Sequence, residues 1–159
     1  MKATHFATRL MVTLGLWLTV WSAQAAGSIV TPAMAGHWEG SARIIVSWCR
    51  QQQLPVKVDI QADGSVTGTV GDAKLTEGHF QANRGWLGRK LNLATDYIVS
   101  GSLEGALVAA EGISRARVMI PLNFSDGSFK GGVNTSGTLF GGKEKMPFSA
   151  AGLTLSHPP

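Results

Sequence analysis

The chain is poor in the residues that most often betray an activity. Its 159 residues include a single cysteine, Cys49, so no intrachain disulfide can form even in an oxidising compartment. The fold must stand on its hydrophobic core. No Gly-x-Ser-x-Gly elbow occurs, which removes the α/β-hydrolase template, and no Walker-type phosphate loop occurs. His37, His79 and His157 are widely spaced, with no His-x-His, His-Glu-x-x-His or paired-cysteine arrangement, so spacing supports no zinc site. No cofactor or metal is expected. Beyond residue 26 no segment carries a long helical stripe with caps, and no dense Lys/Arg stripe offers a nucleic-acid surface.

What is present begins with an address. Residues 1–25 have a basic start (Lys2, Arg9), a short apolar stretch from Leu10 to Trp21, and the small-residue sequence Ala23-Gln24-Ala25. This reads as a secretory signal cleaved before Ala26. An uncleaved anchor is the alternative, but the apolar run falls short of the roughly 20 residues a spanning helix needs. Residues 26–159 are expected to form one periplasmic or secreted domain without a transmembrane segment. The leader holds two of the 14 basic residues and none of the 10 acidic ones, leaving a net charge of +2.

The rest of the chain alternates. From Gly36 to Cys49 the even positions are Trp38, Gly40, Ala42, Ile44, Val46 and Trp48, and the odd ones are mostly polar. That period of two predicts a half-buried strand. Leu54, Val56, Val58 and Ile60 repeat the pattern, Ala62-Asp63-Gly64 predicts a turn, and Val66, Gly68 and Val70 return. Gly71-Asp72 predicts a second turn before a strand over Ala73 to Gln81. Further strands are predicted at Tyr97–Leu103, Ala106–Ala110, Ser114–Phe124, Ser128–Thr135 and Met146–Ser156. In the third of these, Ala116, Val118, Ile120, Leu122 and Phe124 face inward while Arg115, Arg117 and Met119 face outward. Pro121, on that outer face, suggests a bulge or an edge. Asp63–Val70 and Asp126–Val133 echo each other, as a repeated hairpin or as a common turn sequence.

Eight to ten short strands with hairpin signals predict an all-β fold, a small antiparallel up-and-down barrel, with a β-sandwich as the alternative. Gly36-His37-Trp38, at the start of the first strand, resembles the Gly-x-Trp of the calycin group (lipocalins and avidin-like barrels). Ala62-Asp63-Gly64-Ser65-Val66-Thr67-Gly68-Thr69 resembles the second hairpin of the avidin-like members. The resemblance covers about a tenth of the residues after 25 and implies an up-and-down barrel with an internal ligand. Lipocalins set an Arg near the last strand against that first Trp; here the closing segment offers only His157. Avidin-like biotin sites draw several Trp from later strands, whereas this chain has none beyond Trp86, so biotin binding is not carried over.

The interior predicted by alternation is hydrocarbon, with Glu39, Lys57, Asp59, Arg115 and Arg117 outside. An acid–base enzyme needs titratable groups converging in a cleft, so no enzymatic activity is expected. A small hydrophobic ligand inside the barrel is the leading expectation, lined by Trp38, Ile44, Trp48, Val58, Val118 and Ile120. Gly40, Ala42, Gly68 and Ala116 would leave it space. The alternative is a plugged core serving a structural or protein-interaction role. Cys49 reads as a partly buried strand-end residue, or as a thiol that pairs with another chain. Trp86, set among Arg84, Arg89 and Lys90, marks a long connection over Asn83–Thr95, and Thr138–Met146 reads as a wet hairpin tip. A transmembrane barrel is set aside because the outward positions carry charge and several strands are short.

Overall fold

The computed structural model describes residues 29–83, 95–136 and 147–158. Residues 1–25, the Trp86 connection and the Thr138–Met146 tip therefore fall wholly or almost wholly outside the described residues. Ten strands occur among those described: β1 (Gly36–Ile44), β2 (Gln53–Ile60), β3 (Ser65–Val70), β4 (Ala73–Ala82), β5 (Tyr97–Glu104), β6 (Ala106–Val108), β7 (Ile113–Ser114), β8 (Arg117–Ser125), β9 (Ser128–Ser136) and β10 (Phe148–Ser156). Eight of them close into an antiparallel barrel in the order β1-β10-β9-β8-β5-β4-β3-β2, and β6 pairs only with β7. This is the up-and-down barrel expected from the alternation, with one small hairpin inserted between β5 and β8.

Alternation sorts the side chains as predicted along most strands. Leu54, Val56, Val58 and Ile60 of β2 are all at most 1% exposed, each such burial being worth roughly 1.5–3 kcal/mol. The β8–β9 connection is a two-residue hairpin in which Asp126 and Gly127 both have positive φ, 53° and 68°, between the paired residues Ser125 and Ser128. Their twist matches that of the flanking strands. The Asp63-Gly64 turn differs, with Gln61 N–H donating to the Ser65 carbonyl and Asp63 Oδ1 accepting from Ser65 N–H. The two echoing segments thus make hairpins of different geometry.

Two bulges bend the sheet. In β4 the inward residues change from odd (Ala73, Leu75) to even (Gly78, Phe80), and the register with both neighbours shifts between Thr76 and His79. In β10 the change runs from even (Phe148, Ala150) to odd (Leu153, Leu155), with shifts around Gly152. These strands lie four apart in the closed order of eight, on opposite sides of the barrel, where closure requires corners.

Several expectations are corrected. The first strand ends at Ile44, and Ile45–Gln52 forms an irregular connection rather than extending β1 to Cys49. Ala106–Ala110 is not a barrel strand: β6, a short 3-10 turn at Ala109–Glu111 and β7 fold across one mouth of the barrel. Asp72 N–H donates to the Leu107 carbonyl, and Glu111 accepts from the backbone N–H groups of Arg50 and Gln51. Leu107 and Val108 are completely buried. Ser114–Phe124 is broken at Arg115-Ala116, where the chain leaves this insert, so Ala116 is exposed and Arg115 is only 5% exposed. Pro121 marks neither a bulge nor an edge. Pairings Met119–Asn134 and Leu122–Gly131 keep one register across it, with β5 on its other side. Gly131 permits this, since a Cβ there would stand 1.9 Å from the Pro121 carbonyl oxygen.

Candidate functional site

Of the six residues predicted to line the interior, five do so. Trp38, Val58, Val118 and Ile120 are at most 3% exposed and Ile44 is 7% exposed, all within one hydrophobic cluster. Trp48 is not among them. It lies beyond β1 at the rim, 38% exposed, with its ring 6.0 Å from that of Phe148 and the Arg115 guanidinium 5.6 Å from its centroid. Arg115, expected outside, is drawn in to this contact and donates from Nη1 to the Ser114 carbonyl at 2.7 Å.

The interior at the opposite end is crossed by rings. The Trp38 indole meets Phe129 edge-on at 4.8 Å and Phe124 at 6.1 Å, and Phe129 also touches Phe80, which stacks on Tyr97. Trp38 Nε1–H donates to the Met34 carbonyl at 3.0 Å, so its one polar atom is satisfied by the segment preceding β1. That segment buries Val30 and Met34 and covers this end. The space expected beside small residues is not free. A Cβ at Gly40 would fall 1.9 Å from the Thr154 carbonyl oxygen and one at Gly68 2.0 Å from that of Lys57. These glycines admit neighbouring backbone, not a ligand.

Cys49 is half-buried, its Sγ 3.5 Å from the Gln51 carbonyl and 3.5 Å from Glu111 Oε1. Burial, reinforced by the Glu111 carboxylate, raises its pKa, which favours the protonated thiol. On the outer wall of β1 and β2, His37 sits between two carboxylates, Nδ1 2.8 Å from Asp59 and Nε2 2.9 Å from Glu39, while Lys57 lies 3.2 Å from Glu39. Ionised carboxylates only accept, so both ring nitrogens donate and the imidazolium is favoured. The His37 pKa is raised, first by Glu39 and then by Asp59; that of Glu39 is lowered, first by His37. Among the described residues no cluster of three or more His, Cys, Asp or Glu side chains is arranged to hold a metal ion.

Two recesses open on the outside of the barrel wall. Two open depressions of about 550 and 530 Å³ adjoin over β4, β5, β8 and β9 and share Ser100, Arg117 and Val118. One is of mixed character, with Glu77, His79 and Ser102; the other is mostly apolar, with Ile98 and the half-exposed Met119. Glu77 is the bulged residue of β4 and holds a φ of 51°. Its carboxylate accepts from Ser102 Oγ at 3.2 Å. Thr135 lines the second depression, and its buried hydroxyl has no hydrogen-bond partner. Apart from Val118, expected as interior lining, none of these was singled out as a site from sequence, although the odd-to-even switch between Leu75 and Phe80 marks the bulge.

No known protein family matches the chain, and neither does any curated protein or any solved structure.

Proposed function

We propose that this chain is an exported, non-enzymatic, calycin-like barrel that works as an interaction module through its outer surface, with its interior filled by its own side chains. The observation that supports the reading best is the ring packing of Trp38 and Phe129, 4.8 Å apart, in a barrel whose ends are covered by residues 29–35 and by the β6–β7 insert. Barrels of eight strands are just wide enough for side chains to fill them. The calycin-like assignment leans on the meander order and on Gly36-His37-Trp38 at its start, and export on residues 1–25.

A second reading, carriage of a small apolar ligand, is favoured by the hydrocarbon lining. It requires Trp38 or Phe129 to swing aside, which forfeits their edge contact and buried area. Native mass spectrometry on protein purified from its own host separates the two. The interaction module is expected to give the mass of the bare chain; a co-purifying lipid or pigment would establish the carrier instead.

A further inference from the structure

The outer wall of β4, β5 and β8 carries a trough whose chemistry is ordered in rows. Register places His79, Ser100 and Met119 side by side in one row, and Gln81, Ile98 and Pro121 in the next. In the third, Ser102 stands between Arg117 and the Glu77 bulge. The floor along β5 is thus small at Ser100 and Ser102. The β4 wall is acidic to polar, and the β8 wall runs from cationic to apolar. Rows are ~6.6 Å apart and the walls stand ~10 Å apart across β5.

The Glu77 backbone is the strongest sign that this surface is selected for binding. The barrel's other corner uses Gly152 at the equivalent bulge, with φ 69°, at no steric cost. A glutamate in the left-handed region brings its Cβ against its own backbone, and strain of this kind gathers at functional sites. Glycine would serve the corner better; glutamate projects a carboxylate over the trough. Opposite it, the side chain of Arg117 makes no hydrogen bond or ion pair among the described residues.

We infer that the trough binds an extended peptide segment that carries a basic side chain for Glu77, an adjacent acidic side chain for Arg117, and an apolar side chain two residues beyond the acid for Met119 and Ile98. This rests on the interaction-module reading and names the partner's chemistry. An extended chain lying along β5 turns successive side chains to opposite walls, and its two-residue repeat matches the row spacing. The opposed charges of Glu77 and Arg117 disfavour a polyanion, and no Phe, Tyr or Trp ring lines either depression to stack a base. The trough is too open to bury most of a small molecule, whereas a peptide needs only one side covered.

The test is a titration of the purified protein, read by amide chemical shifts, with acetyl-Lys-Asp-Ser-Leu-amide and its reverse sequence. Shifts are expected at Ser100, Ser102, Arg117 and Met119 for one of the two. Arg117→Glu should weaken binding about tenfold, with recovery when the peptide's Asp is replaced by Lys. Glu77→Gly should weaken binding too while leaving the urea midpoint unchanged or raised, which separates recognition from folding. Absence of shifts with both peptides at millimolar concentration, or binding indifferent to Arg117→Glu, would overturn the inference. Equal shifts from anionic vesicles would also overturn it. A ligand found inside the barrel would instead defeat the interaction-module reading and leave these trough shifts as a separate result.

Discussion

The imidazole of His157 lies over the indole of Trp38, ring centroids 3.8 Å apart and planes inclined at 33°. His157 Nδ1–H also donates to the His37 carbonyl at 2.9 Å. The residue that follows the last strand thus closes on the tryptophan that opens the first. The same contact seals the ring cluster that occupies this end of the barrel. Trp38→Ala should cost about 3–5 kcal/mol in urea unfolding, and His157→Ala, at an exposed ring, about 1 kcal/mol. Equal losses would mean that the stack, not the buried indole, holds this end.

The His37 cluster predicts a pH dependence whose sign follows from its two shifts. The His37 pKa is raised on folding, so its stabilising effect is complete below the ordinary imidazole value of about 6.5 and disappears as pH rises through the raised value. The Glu39 pKa is lowered, so its effect is present above the ordinary carboxylate range and is lost as pH falls through the lowered value. The stability difference between the native protein and His37→Gln should therefore be largest near mildly acidic pH and shrink on both sides. Urea midpoints across the pH range check this; a difference that grows toward alkaline pH would refute the imidazolium assignment.

Face assignment along β1 is testable at two adjacent positions. Ile44 is 7% exposed and its neighbour Arg43 points to solvent. Ile44→Asp buries an unpaired carboxylate and should be severely destabilising, whereas Arg43→Asp should change stability by well under ~1 kcal/mol. Thermal melting of both variants decides it.

Gly40 and Gly68 predict that even the smallest added side chain is not tolerated. A methyl group at either must displace the backbone carbonyl of the adjoining strand, Thr154 or Lys57. At Gly68 a φ of 145° adds backbone strain. Each Gly→Ala variant should lose about 1–3 kcal/mol, measured by denaturant unfolding. Neutral outcomes would show that the strands can part and that the wall is looser than described.

Much of the barrel was legible because a period of two is written over whole strands, as in Leu54 to Ile60. Where the period slips, local reading loses the thread. The odd-to-even switch between Leu75 and Phe80 and the reverse switch between Ala150 and Leu153 both encode bulges, yet each looks like noise within one strand. Ala106–Ala110 has strand composition but caps a mouth of the barrel, because its partners Asp72 and the Arg50-Gln51 backbone lie far away in sequence. Arg115 is buried for the same reason, in a contact with Trp48 across 67 positions. The trough escaped notice because it is assembled from outward residues of β4, β5, β8 and β9, and alternation only marks these as wet.

Methyl-detected NMR tests the filled interior most directly. Spectra of the protein with labelled Ile, Leu and Val methyl groups would be recorded with and without a saturating long-chain fatty acid and a polyene. The methyl signals of Val58, Val66, Ile120 and Leu122 and the Trp38 indole N–H should stay in place with every addition. Slow-exchange displacement of those signals by either ligand would contradict the account and make the barrel a container.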